Sequence, residues 1–123
     1  MKKVGYLEGT DSTYLTRLAL HGVDTLPLGN GADNHGKYIG FVDRADAIDL
    51  VITYYHKIVP LAEQRTSPQS LLQACQLNNI PVLIITPGEH HEKAQAAFKD
   101  VSAEYKLVDP ENVMIEAKKI LGL

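Results

Sequence analysis

The sequence predicts a doubly wound α/β domain, a parallel sheet covered by helices on both faces. Three observations predict it. Short apolar runs alternate with amphipathic segments of helical length about five times in 123 residues, the pattern of repeated βα units. Two of the helical segments open on a capping residue followed by proline, at Ser67-Pro68 and Asp109-Pro110, where proline's fixed φ suits the first helical turn. The clearest apolar run, residues 81–86, is too short for a helix and is broken by Pro87-Gly88, as expected of a strand buried on both faces.

Residues 4–8 read as the first strand, apolar and followed by Gly9. Asp11-Ser12-Thr13 supplies cap candidates, and Tyr14, Leu15, Leu18 and Ala19 follow at helical spacing until Gly22 stops the helix. Residues 23–28 form the second strand, ended by Gly29-Asn30-Gly31. Residues 34–45 admit two readings. Tyr38, Ile39, Val42 and Ala45 share a helical face, but Gly36 and Gly40 lower helix propensity. The alternative is a strand over 38–42; paired antiparallel, it would displace the whole fold assignment.

Residues 48–55 are β-branched and aromatic, a buried third strand. A loop over 57–66 separates it from a helix running from Ser67-Pro68 through Leu71, Leu72, Cys75 and Gln76 to Asn78-Asn79. After the strand over 81–86, residues 90–101 form a helix with Ala94, Ala97, Phe98 and Val101 inward. Residues 105–108 are a short strand. The last helix presents Val113, Met114, Ala117, Ile120 and Leu121 to the core. Five βα units of this size match the flavodoxin-like layout: one three-layer α/β/α domain over 1–123, strand order 2-1-3-4-5, right-handed crossovers.

Bulk composition narrows the setting. A chain of this length buries roughly two-thirds of its unfolded surface, so it needs no disulfide or metal to fold. Hydrophobic residues make up 45% and charged residues 22%, ordinary globular values that exclude disorder as the main state. A net charge of -3 opposes a nucleic-acid platform. Lys118 and Lys119 complement a helix end. The lone Cys75 makes no internal disulfide, which fits a reducing compartment. No secretory h-region opens the chain, and the run at residues 82–85 is too short to span a bilayer. The expectation is a cytoplasmic protein without nucleic-acid or membrane partners, with homo-oligomers left open.

In open parallel sheets, ligands bind beyond the carboxyl ends of the strands, at the switch in strand order. Here that lies between the first and third strands. Three polar loops meet there and hold Glu8, Thr10, Asp11, Ser12, Thr13, His56, Lys57, Arg65, Thr66, Glu89, His90 and His91. Hydroxyls and backbone N–H groups in Glu8-Gly9-Thr10-Asp11-Ser12-Thr13 can cradle an anion. The loop resembles the phosphate loop of flavodoxins, with Thr10 and Thr13 in the places of two hydroxyl residues; it departs in carrying Asp11 where that loop has glycine. The same residues also suit an ordinary helix cap. Tyr54 or Tyr55 can stack on a flat ring, or both can simply cover the sheet. His56 and Lys57 can meet an anion, and a polar pair directly after a buried strand is hard to explain by packing.

Thr86-Pro87-Gly88-Glu89-His90-His91 ends on two imidazoles at a helix start. Adjacent positions there point about 100° apart, and no HxxxH or HExxH spacing exists, so no metal site is assigned. Residues 30–37 are glycine-rich without the GxxxxGK[ST] pattern. Cys75 reads as core. An acceptor Asp at the end of the third strand, a GxGxxG fingerprint, a cysteine phosphate loop and a GxSxG elbow are all missing. Residues 46–85 resemble nucleoside deoxyribosyltransferases in their strand, Ser-led helix and Pro-led strand. Such an activity needs a carboxylate for which Glu63 is the one candidate, in a context that does not match.

The sequence thus points to a small anionic or nucleotide-like ligand, with no particular cofactor specified. Glu8, Thr10, Asp11, Ser12, Thr13, Tyr55, Lys57 and Thr86 are the expected ligand contacts, and His56 or His90 the general base if there is catalysis. Glu8, Thr10, Asp11, Ser12, His56 and His90 are expected to border one cleft. The alternatives are a non-catalytic assembly module on the same fold, and a nucleoside- or phosphate-processing enzyme with a histidine base.

Overall fold

The computed structural model describes residues 2–29, 36–58, 68–99 and 101–123. Its six strands are β1 (Lys3–Leu7), β2 (Asp24–Gly29), β3 (Lys37–Tyr38), β4 (Leu50–Tyr54), β5 (Val82–Ile85) and β6 (Tyr105–Val108). The helices are α1 (Ser12–Leu20), α2 (Tyr55–Ile58), α3 (Pro68–Leu77), α4 (His91–Ala97) and α5 (Val113–Leu121). The strands lie in the order β3-β2-β1-β4-β5-β6, and every pairing is parallel. Without the two-residue β3, the order is the expected 2-1-3-4-5. The α/β fold stands, with a sixth strand added at one edge.

Side-chain alternation builds two cores, one on each face of the sheet. Val4, Leu50, Ile52, Leu83, Ile85 and Val108 face Leu18 of α1 and Val113, Met114, Ala117 and Leu121 of α5. Leu7, Leu28, Val51, Val82 and Ile84 face Leu72, Ala74 and Cys75 of α3, Ala94 of α4 and Phe98. All four β5 residues are buried, because helices cover both of its faces. Gly5 leaves room for this packing: a Cβ there would lie 2.6 Å from Leu28 Cδ1.

The segment around residue 40 is neither of the forms expected of it. Lys37–Tyr38 pairs parallel with Leu28 and Gly29, and 3-10 turns follow at Ile39–Phe41 and Arg44–Asp46. Backbone chemistry keeps β3 short. Asp24 N–H donates to Lys2 C=O across the β1 side, so by alternation Pro27 turns its nitrogen toward β3, where it has no proton to donate. In the turn that follows, the Tyr38 ring lies over Gly40, 2.5 Å from where a Cβ would stand, so glycine fits there without a shift. A capping box then turns the chain: Asp43 accepts from Ala45 N–H, and Asp46 from Asp43 N–H.

Smaller differences have similar local causes. The third strand stops at Tyr54, and Tyr55 begins the helical turn α2. Ala97 and Ile120 are exposed rather than inward; α4 ends at Ala97, so its inner face is carried by Ala94 and the C-cap residue Phe98. At the end of α3, Asn79 takes φ 55°, and Asn78 Nδ2 donates to the Ala74 and Val42 carbonyls. The expected turn at 30–35, the rest of the loop at 59–66 and the Ser67 cap lie outside the described residues.

Two glycines with positive φ separate backbone strain from crowding. Gly22 (φ +78°) has nothing near its missing Cβ, whereas a Cβ on Gly36 (φ +66°) would stand 2.2 Å from the Pro27 carbonyl oxygen. Gly22→Ala is expected to cost about 1–2 kcal/mol, the left-handed penalty alone. Gly36→Ala should cost about 3 kcal/mol, because overpacking adds to it. Urea unfolding of both variants measures the difference.

The Lys37–Asp46 ion pair (2.8 Å) gives an acid-dependent expectation. Lys37, then the Asp43 N–H, hold the Asp46 carboxyl below its ordinary value. A carboxyl pKa lowered by folding stabilises above the unfolded value, and that stability is lost as pH falls through the folded value. The stability gap between wild type and Asp46→Asn should therefore be widest near neutrality and close on acidification. Denaturation midpoints from about pH 7 down to about pH 2 test this; a gap that is constant with pH contradicts it.

Candidate functional site

A cleft of about 450 Å³ opens at the carboxyl edge of the sheet, over β4 and β5. Tyr54, Tyr55, His56, Ile85, Pro87 and His90 line it. β4 delivers Tyr54 at its last residue and passes at once into α2, which carries Tyr55 and His56. β5 delivers Ile85; Pro87 and the 3-10 turn Gly88–His90 then bring His90 to the opposite wall.

The two tyrosines diverge to the two layers. Tyr54 packs beside Tyr14 on the α1/α5 core. Burial raises its phenol pKa, as does the Asp11 charge, while the Asp11 backbone N–H acts in the opposite direction. Tyr55 packs on the other core, edge-on to Phe98 with ring centroids 6.1 Å apart. His56 is exposed and lies 5.6 Å from Tyr54, centroid to centroid, tilted by 33°. His90 is half-exposed, with its Nε2 3.6 Å from Glu89 Oε1.

Thus His56, His90 and Tyr55 share one cleft, together with Tyr54. The first-loop residues do not line it. Thr10 Oγ1 donates to the Leu7 carbonyl at 2.7 Å. Asp11 Oδ1 accepts the Thr13 N–H at 2.8 Å, a bond that lowers its carboxyl pKa and makes it the cap of α1. Ser12 and Thr13 are the first residues of that helix, and Glu8 is exposed beside them. Tyr54 stands between this loop and the cleft: its ring reaches within 3.9 Å of where a Gly9 Cβ would be, and Lys57 Cε within 3.5 Å of the same point. Lys57 therefore lies over the first loop and is absent from the lining.

Thr86 does not line the cleft. It is fully buried, and its hydroxyl donates to the Ile84 carbonyl at 3.3 Å. Its N–H donates to Val108 C=O, and its own carbonyl receives His91 Nε2 at 2.7 Å. Full burial, with each of its polar groups bonded inside the fold, keeps Thr86 out of the lining. Asp109 also departs from expectation, for it makes no side-chain cap bond to the turn it opens; its Oδ1 lies 3.3 Å from His91 Nε2. Sequence reasoning missed Ile85 and Pro87 as lining residues. Their signal was positional, at the carboxyl end of the clearest buried strand.

Cys75 is core as expected, its thiol pushed up to about 12 by burial and so unfit as a nucleophile at neutral pH. Among the described residues, no three His, Cys, Asp or Glu side chains group to hold a metal ion, and no helix is long and apolar enough to cross a membrane. Arg65, Thr66 and Glu63 lie outside the described residues. No protein-family model, no curated protein and no solved structure matches the chain.

Lining residues and their supports should separate by stability. Phe98 is fully buried beneath Tyr55, so Phe98→Ala is expected to cost about 3–5 kcal/mol. His56→Ala, at an exposed position, should stay within about 0.5 kcal/mol of wild type. Equal losses in urea unfolding would show that His56 is a structural residue.

Proposed function

We propose that the cleft over β4 and β5 binds a small anionic, nucleotide-like ligand. The observation that carries this reading is that two tyrosines and two histidines face one space of about 450 Å³, walled otherwise by Ile85 and Pro87. That volume suits a single small molecule, and a mostly apolar lining with few convergent polar groups is the usual form of such sites. None of the six described lining residues is acidic, which favours an anion over a cation. The tyrosine rings offer flat surface for a base or similar ring, and His56 and His90 offer N–H donors to its charged group. If the ligand reacts, either imidazole is the candidate general base.

A second reading, an assembly module, draws on Phe41 and Leu77, each at least 70% exposed, on the 3-10 turn Ile39–Phe41 and α3, which pack against each other. Large apolar side chains this open suit a partner surface.

Calorimetric titration and thermal shift with AMP, FMN and inorganic phosphate test the first reading. AMP or FMN should stabilise the chain, by about 2.7 kcal/mol at a hundred times Kd, and inorganic phosphate less. The double variant His56→Ala/His90→Ala should weaken binding about tenfold or more with the unliganded melting temperature nearly unchanged. No response to any of the three compounds, or an undiminished response in the double variant, refutes it.

A further inference from the structure

His90 and His91 are neighbours in sequence with different surroundings. His90 lines the cleft. His91 turns away from it, its Nε2 lying 2.7 Å from the Thr86 carbonyl oxygen and 3.3 Å from Asp109 Oδ1. We propose that His91 is the positioning residue of the cleft: its Nε2–H, shared between Thr86 and Asp109, pins the turn that holds His90 at the wall. The functional value of that placement rests on the ligand-binding reading above.

A carbonyl oxygen can only accept a hydrogen bond, and a carboxylate oxygen likewise. Both neighbours of Nε2 are of this kind, so Nε2 must carry the proton, whether or not Nδ1 carries one as well. The two acceptors follow different strands. Thr86 directly follows β5, and its N–H extends the β5–β6 ladder by bonding to Val108 C=O. Asp109 directly follows β6. His91 therefore reaches back across the turn it follows and joins it to the end of the neighbouring strand.

Three further contacts make this a built arrangement. His90 N–H donates to Pro87 C=O at 2.8 Å, closing the turn internally. Asp109 Oδ1 lies against Gly88, 3.2 Å from where a Cβ would stand, so carboxylate, imidazole and turn backbone are packed together. Tyr14 Oη donates to the Pro110 carbonyl at 2.9 Å, which ties the segment bearing Asp109 to α1. One such hydrogen bond is small against the stability of a domain. Its loss should release the turn and leave the sheet folded.

Amide hydrogen exchange on the full chain, followed by NMR, tests this. In His91→Ala the His90 amide should exchange about tenfold faster, equivalent to about 1.4 kcal/mol, while the Leu83 and Ile84 amides of β5 keep their rates. In His91→Gln, which places an N–H near the position of Nε2, the His90 rate should return to within about threefold of wild type. The imidazole ¹⁵N spectrum of wild type should show Nε2 of His91 protonated, and the Kd for whichever of AMP or FMN binds should rise in the Ala variant and recover in the Gln variant. An unprotonated Nε2, an unchanged His90 rate in His91→Ala, or equal acceleration of every amide overturns the positioning role. A wild-type chain that ignores AMP, FMN and phosphate refutes the binding reading alone, because the exchange pattern is read without a ligand.

Discussion

The carboxyl edge of this protein depends on β1 being hydrogen-bonded on both sides by parallel neighbours, β2 and β4. Parallel neighbours cannot be joined by a hairpin, so each connection must cross a face of the sheet before the chain re-enters. The crossings cover both faces, which is why β1, β4 and β5 need apolar residues in both directions. They also return every strand-to-helix turn to one edge. Gly5 sits at the centre of this constraint: Leu28 occupies the place where its Cβ would stand, which lets β2 and β1 share a packed layer.

That constraint gathers the turns at one edge without choosing which pair of strands opens there. The change of direction in strand order lies between β1 and β4, yet the cleft lies one strand further, over β4 and β5. The difference comes from Tyr54. Its ring fills the space beside the first loop, with the Asp11 backbone at its hydroxyl and Lys57 over Gly9. The first loop meanwhile satisfies its own polar groups, Thr10 on Leu7 and Asp11 on Thr13. A hydroxyl or carboxylate already bonded within its loop gains little by turning to a ligand. Polar density in a sequence is thus a measure of what a loop can bond, and in this loop it bonds itself.

The turn after β5 shows the same economy on the other wall. Thr86 has all its polar groups bonded within the fold, Asp109 leaves its helical turn uncapped to face His91, and His90 is left toward the cleft. Two adjacent imidazoles differ in surroundings because one meets acceptors at the ends of two neighbouring strands and the other lines the cleft.

The sequence by itself determined the α/β alternation, the five main strands with their order, a helix cap within Asp11-Ser12-Thr13, the stop at Gly22 and the buried place of Cys75. Each of these rests on periodicity, glycine and proline geometry or side-chain size, which act within a few residues along the chain. Tertiary structure decided the short sixth strand, which turns on where Pro27 aims its missing N–H. It also decided that Thr86, Thr10 and Asp11 are absent from the cleft that His56 and His90 line. Those outcomes depend on which donor meets which acceptor across strands far apart in sequence, and local pattern carries no record of such distances.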